Sequence, residues 1–127
     1  MDKKEIKNLY KMKPPDMGVY QLKNLANGMI YIGSAMDLKG KLNSERFQLM
    51  NNMHMNRELQ KDFNELGGER FSFEVLDRLL PKGEPGNDPG PDLRALEELW
   101  MEKLRPYGAR GYHKRKSDPP EREDQGG

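Results

Sequence analysis

Two phenols and two carboxylates are the groups in this sequence whose type and position could do chemistry: Tyr20 and Tyr31, then Glu45 and Glu97. At about 100° per residue, Leu93, Leu96, Trp100 and Leu104 form the apolar arc of a helix, and Glu97 falls inside that arc. Glu98 and Glu102 fall opposite it, near Arg94, where water is expected. A carboxylate on an inward face is costly unless a cation or a metal ion meets it. Two readings therefore stand for Glu97: a salt bridge to a Lys or Arg, or a ligand for a divalent cation. Mg²⁺ commonly takes one or two carboxylates and keeps waters and substrate phosphate oxygens in its other positions. Glu45 poses the same problem. Leu38, Leu42 and Leu49 make one helical stripe with Glu45 within it and Lys41 at its edge, provided that Gly40 does not break the helix. A buried ion network joining Lys41 to Glu45 or Glu97 would also satisfy this pattern.

The elements that must position these groups follow from periodicity and turn chemistry. Residues 18–23 and 29–34 read as strands joined through Asn27-Gly28, a dipeptide suited to a two-residue type I′ turn. In that register Ala26 opposes Met29 and Asn24 opposes Tyr31. Side chains alternate with period two, so Tyr20, Leu22 and Asn24 share a face with Tyr31, Gly33 and Ala35. Val19, Ile30 and Ile32 fall on the other face. A slip of one residue would undo this sharing. Both tyrosines also suit ordinary half-buried strand positions, because aromatic residues are enriched in strands. Helical patterns run from 37 to 50 and from 56 to 66, a third strand covers "RFSFEVLDRL", and a last helix covers 92–104. Residues 2–12 read as a short amphipathic helix ended by Pro14 and Pro15. "PKGEPGNDPGPD" reads as a mobile loop and "SDPPEREDQGG" as a disordered tail. The expected organisation is an N-terminal helical extension (1–16), one α+β domain (17–113) with a small three-stranded antiparallel sheet flanked by helices, and a C-terminal tail (114–127).

Composition limits the alternatives. At 127 residues, with 34% hydrophobic and 34% charged residues, the chain suits one domain with a modest core. No cysteine is present, so disulfides and thiolate metal sites are excluded. The N-terminus lacks the apolar run of a signal peptide, and no stretch approaches the roughly 20 apolar residues of a membrane span. A cytoplasmic protein without a membrane partner is expected. The net charge of +1 is a poor overall footprint for a nucleic-acid binder, but the charge is uneven. "KLRPYGARGYHKRK" carries Lys103, Arg105, Arg110, Lys114, Arg115 and Lys116 with no acid among them. It is either a solvated segment or a phosphate-contacting edge. His54, just before a helix, reads as a surface or capping residue. Met50, Met53 and Met55 read as gap-filling core or interface residues, and Trp100 as core.

Taken in order, these residues resemble the GIY-YIG nuclease family. "GVY" (Gly18, Val19, Tyr20) looks like the first motif and "YIG" (Tyr31, Ile32, Gly33) is the second verbatim, followed by "SAMDL". "HMNRELQKDFNELGGERFSFEVL" is similar to the next helix and third strand of the family, and "LEELWMEKLRPYGARGYH" to its metal-binding helix and closing Gly-Tyr segment. The resemblance covers residues 17–113. It implies a small sheet flanked by helices and hydrolysis of a DNA phosphodiester with one divalent ion, Mg²⁺ or Mn²⁺. By the same resemblance Tyr20 activates the attacking water, Tyr31 assists, and Glu97 is the single metal ligand. A phenol near metal-bound hydroxide can relay a proton, and the metal acts as a Lewis acid on the phosphoryl oxygen.

Three positions depart from the family pattern. Lys41 stands where the family has arginine, Glu45 where it often has histidine, and His113 where it has asparagine. Lys41 keeps the charge but loses the planar fork that grips phosphate. Glu45 brings negative charge toward an approaching phosphate unless Lys41 or Arg46 neutralises it or a second metal uses it. His113 could supply the imidazole that Glu45 displaces. The catalytic set is then Tyr20, Tyr31, Lys41, Glu45 and His113, with Glu97 on the metal. The expected nucleic-acid contacts are Lys39, Lys41, Arg46, Arg110 and Lys114. The resemblance is nearest to small stand-alone bacterial members with an eroded site. Two functions follow: a metal-dependent DNA endonuclease of weak or narrow activity, or a module of the same fold that binds nucleic acid or a protein partner without cutting. The retained tyrosines and Glu97 favour the first; Lys41 and Glu45 favour the second.

Overall fold

A computed structural model describes residues 15–80 and 88–114. The expected helix over 2–12, most of the Pro/Gly loop and most of the C-terminal tail lie outside the described residues.

Three strands form one antiparallel sheet: β1 (Met17–Asn24), β2 (Ile30–Ala35) and β3 (Phe71–Leu79), in the order β2-β1-β3. Three helices complete the α+β fold: α1 (Leu38–Met50), α2 (Arg57–Leu66) and α3 (Gly90–Leu104). Gly40 does not interrupt α1, because the Asp37 side chain caps the helix by accepting from the Gly40 N–H at 3.0 Å. Asn56 caps α2 in the same way, accepting from the Leu59 N–H at 3.0 Å. α3 starts two residues before the pattern of the sequence suggests, with Pro91 in its first turn, where a missing N–H costs nothing.

The two faces of the sheet carry separate cores. Tyr20, Leu22, Leu38, Leu49, Leu59, Phe63 and Phe71 pack together with α1 and α2 on one face. Val19, Ile30 and Ile32 pack against Leu96, Trp100, Met101 and Leu104 of α3 on the other. Met50, Met53 and Met55 do not fill gaps in either core; all three are exposed.

The hairpin register differs from the expected one by two residues. Leu22 opposes Tyr31 and Tyr20 opposes Gly33, so the connecting loop spans residues 25–29 rather than Asn27-Gly28 alone. Side chains of two asparagines explain the longer loop. Asn24 Oδ1 accepts from the Ala26 N–H and Asn27 Oδ1 from the Met29 N–H, each at 2.9 Å, which offers the backbone an alternative to a two-residue turn. A shift of two residues preserves the face of every side chain, so Tyr20 and Tyr31 still share a face.

Candidate active site at the edge of strand β2

The site is built around β2, which lies at the end of the strand order. The segment Gly111–His113 runs along its outer edge: the Tyr112 N–H donates to the Ile30 carbonyl at 3.0 Å, and the Ile32 N–H donates to His113 Nε2 at 2.8 Å. Gly111 is required for this approach, since a Cβ there would lie 2.3 Å from the Pro106 carbonyl oxygen. The His113 ring is thereby laid flat on Tyr31, with centroids 4.9 Å apart and planes 12° from parallel. His54 meets the same tyrosine edge-on at 5.3 Å. Both histidines of the chain therefore flank Tyr31.

Tyr20 crosses from β1 over the bare Cα of Gly33, whose missing side chain makes room for the phenol. The residue is 1% exposed, and its hydroxyl donates to Glu45 Oε2 at 2.5 Å. Burial, then the bond to Glu45 and its charge, raise the Tyr20 pKa far above the ordinary phenol value. Tyr31 is half-buried, and among the described hydrogen bonds its hydroxyl makes none. Burial first, then the charges of Glu45 and Glu97, push its pKa up to about 12. The two phenols thus differ. One is almost wholly buried with its proton directed at a carboxylate, and the other is partly open.

Glu45 is 3% exposed and takes two short hydrogen bonds, from Tyr20 and from His54 Nε2 at 2.7 Å. Burial disfavours its charge, but the bond to His54 and its electrostatic attraction, the bond to Tyr20 and the Lys41 ammonium together outweigh burial and hold the carboxyl below the usual range. His54 is not a surface residue. It is 8% exposed and pinned on three sides, by Glu45 at Nε2, by the Asn56 N–H at Nδ1 and by Gln60 Oε1 on its own N–H. The imidazole beside Glu45 is thus His54, while His113 lies on the far side of Tyr31. One clue to His54 was in the sequence: an inward carboxylate on α1 needs a buried donor, and His54 sits where the chain turns back from α1 into α2. Lys41, a cation by type and four residues away on the same helix, drew attention instead.

Glu97 approaches from the opposite face. α3 packs on the Val19, Ile30 and Ile32 side, so the carboxylate comes to the sheet from the face opposite the phenols. It meets β2 at Ser34, whose hydroxyl donates to Oε1 at 2.6 Å. Its charge still reaches round the strand edge to raise the Tyr20 and Tyr31 pKa values. It also pulls His113 upward, although burial wins and holds that imidazole below its ordinary value. Among the described residues Glu97 makes no salt bridge, and no cluster of three or more acidic or histidine side chains could enclose a metal. A half-buried carboxylate with one oxygen engaged by a hydroxyl fits a hydrated divalent ion that takes its remaining ligands from water and phosphate.

Lys41 acts on Glu45 from the same helix, and Lys114 follows His113 in the chain. Lys39 is exposed near the start of α1. Arg46 stacks at 4.4 Å over Phe73 of β3, beyond β1 from Tyr31. Arg110 lines a cavity of about 410 Å³ with Gln21, Trp100 and Leu104, on the α3 face. No helix among the described residues is long and apolar enough to cross a membrane.

Comparison with known proteins places this geometry. No family model matches the chain. The structure superposes on the catalytic domain of homing endonuclease I-TevI with a TM-score of 0.61 and 27% identity, covering 76% of this chain and 95% of that one. A mutant of the same intron endonuclease domain gives 0.59 and 24% identity, over 71% of this chain and 84% of that one. The UvrABC system protein C of Alkaliphilus metalliredigens is 44% identical over 50 residues, which are 39% of this chain but 8% of that protein. The chain thus spans a small part of that curated relative. The three-stranded sheet with its helices is the fold of the I-TevI catalytic domain.

Proposed function

We propose that this chain, similar in fold and motifs to GIY-YIG nucleases, is an endonuclease that hydrolyses a DNA phosphodiester with the aid of one divalent cation, Mg²⁺ or Mn²⁺. One observation supports it most: Tyr20 packed over Gly33, Tyr31 flanked by two imidazoles and Glu97 bonded to Ser34 all meet at β2, and among the described residues Glu97 makes no salt bridge. Such a set can activate water on one side of a phosphate and hold a metal on the other.

Glu97, oriented by Ser34, would hold the ion, which supplies Lewis acidity toward the phosphoryl oxygens. Tyr20 would accept a proton from the attacking water. Tyr31, flanked by two imidazole rings, would orient that water or the phosphate with its open hydroxyl. Lys41 and Lys114 would offset phosphate charge as the strand lies along the β2 edge. The ionised Glu45 repels the substrate less than its charge alone suggests, because the Lys41 ammonium offsets it and its oxygens are taken by Tyr20 and His54.

The test is nicking of supercoiled plasmid with Mg²⁺ or Mn²⁺, wild type against Glu97→Ala, with a gel shift run across salt concentrations. Metal-dependent nicking that the variant loses supports the nuclease. Retardation of DNA without nicking by the wild type supports the binding module instead. Equal traces in both proteins indicate a contaminant and remove the case for hydrolysis.

A further inference from the structure

We infer that Glu45, held in place by His54, is the acceptor of the Tyr20 proton during water activation, so that the site works through a phenol–carboxylate relay rather than a phenol alone. This rests on the nuclease reading and extends it to where the proton goes.

The Asn56 N–H donates to His54 Nδ1 at 3.0 Å, so that nitrogen must present its lone pair. The ring proton is then on Nε2, which donates to Glu45 Oε1 at 2.7 Å. The other carboxylate oxygen, Oε2, is left for the Tyr20 hydroxyl at 2.5 Å. Backbone N–H and imidazole thus form a chain of donors that ends on the carboxylate, and the phenol donates into the same carboxylate from the other side, so Glu45 is the acceptor of both. The Asn56 peptide is itself fixed, because its side chain caps α2 and donates to the Tyr112 carbonyl at 2.9 Å.

The surroundings keep the acceptor ionised. The groups facing Glu45 are Tyr20 from β1, Tyr31 from β2, His54 from the α1–α2 loop and Lys41 on its own helix. No acid is among them. A glutamine would satisfy the packing and one of the two hydrogen bonds, but it could not take up a proton. A buried carboxylate at this point is therefore best explained by what it accepts.

Water attacks phosphorus, forming one P–O bond and breaking the bond to the leaving sugar oxygen. A water proton moves to the Tyr20 oxygen as the Tyr20 proton moves to Glu45 Oε2. The leaving alkoxide takes a proton from solvent, and Glu45 returns its own through Tyr20 to bulk water. The net change is one water added across a P–O bond. His54 touches no reacting atom and is a positioning residue.

The experiment measures metal-dependent nicking against pH for the wild type, Glu45→Gln, Glu45→His and His54→Gln, with circular dichroism to check folding. The wild-type rate should hold level down to about pH 5.5, because its base is a carboxylate and not an imidazole. Glu45→Gln should lose about 10²-fold or more at every pH, the usual scale of a lost general base. Glu45→His should recover part of that loss with an acid limb near pH 6.5, about the ordinary imidazole value. His54→Gln, which keeps a donor to Oε1, should retain most of the rate. A folded Glu45→Gln with the wild-type rate overturns the relay while leaving the nuclease reading standing. If Glu45→Gln does not fold, the acid limb of Glu45→His decides: a limb unmoved from that of the wild type overturns the relay. A wild type that nicks no DNA overturns both readings. Independently of activity, ¹⁵N spectra should show His54 as the Nε2–H tautomer, and the Nδ1–H tautomer would contradict the chain of donors.

Discussion

Gly33→Ala should disable the site without touching any polar group in it. A Cβ built on Gly33 lies 2.4 Å from the Tyr20 hydroxyl oxygen, 2.5 Å from Cζ and 2.9 Å from Cε1. Ordinary contact between such atoms is about 3.5–4.0 Å, so the ring must withdraw by about an ångström or more. Tyr20 is 1% exposed, which leaves no open side to withdraw toward, and its 2.5 Å bond to Glu45 cannot survive the shift. Forcing extra atoms into a packed interior typically costs about 1–3 kcal/mol of stability. Misplacing a catalytic group by about 1 Å can cost about 10²-fold in rate. The assay pairs urea unfolding with initial nicking rates for Gly33→Ala, Tyr20→Phe and the double variant. Because the rate loss acts through the hydroxyl, Gly33→Ala should have little further effect on activity once Tyr20→Phe has removed it, a strong departure from additivity. Wild-type activity and stability in Gly33→Ala, or full additivity with Tyr20→Phe, would refute the reasoning.

Other consequences are equally open to test. Tyr112→Phe removes a hydroxyl that accepts from Asn24 Nδ2 at 3.0 Å and donates to Asp62 at 2.8 Å. Asn24 is fully buried, so its orphaned donor should cost about 1–3 kcal/mol in urea unfolding, with nicking less affected than by Gly33→Ala. Acid stability should report Glu45. Its folded-state pKa lies below the unfolded value, so its contribution is full at neutral pH and is lost as pH falls through the folded value. Unfolding midpoints should therefore drop more steeply below about pH 4.3 for the wild type than for Glu45→Gln. Glu97→Gln should lower the Tyr31 pKa from about 12, read from tyrosinate absorbance, because the Glu97 charge is one of its causes after burial and Glu45.

Most of the scaffold was legible in the sequence, and the reasons are local. Period-two alternation assigned Tyr20, Tyr31 and Gly33 to one face, and it survived an error of two residues in register because faces repeat every second residue. The arc of α3 marked Leu96, Trp100 and Leu104 as inward and Glu98 and Glu102 as exposed. What stayed hidden depends on how elements meet. Periodicity says that Glu97 turns inward, not which side of the sheet receives it, so its approach round the β2 edge could not be read. The partner of Glu45 was hidden for the same reason: His54 reaches it only because α2 folds back against α1, whereas Lys41 is near in sequence. The longer hairpin loop came from asparagine side chains bonding to the backbone, a competition that the Asn27-Gly28 signal does not weigh.

The central claim is that Glu97 holds a catalytic cation within reach of the two phenols. Crystals soaked in Mn²⁺ and measured for anomalous scattering test it most directly. A single strong peak bonded to the Glu97 carboxylate on the β2 edge, absent from Glu97→Ala crystals, is the predicted result. A peak remote from Glu97, or none at a manganese concentration that supports nicking, would contradict it.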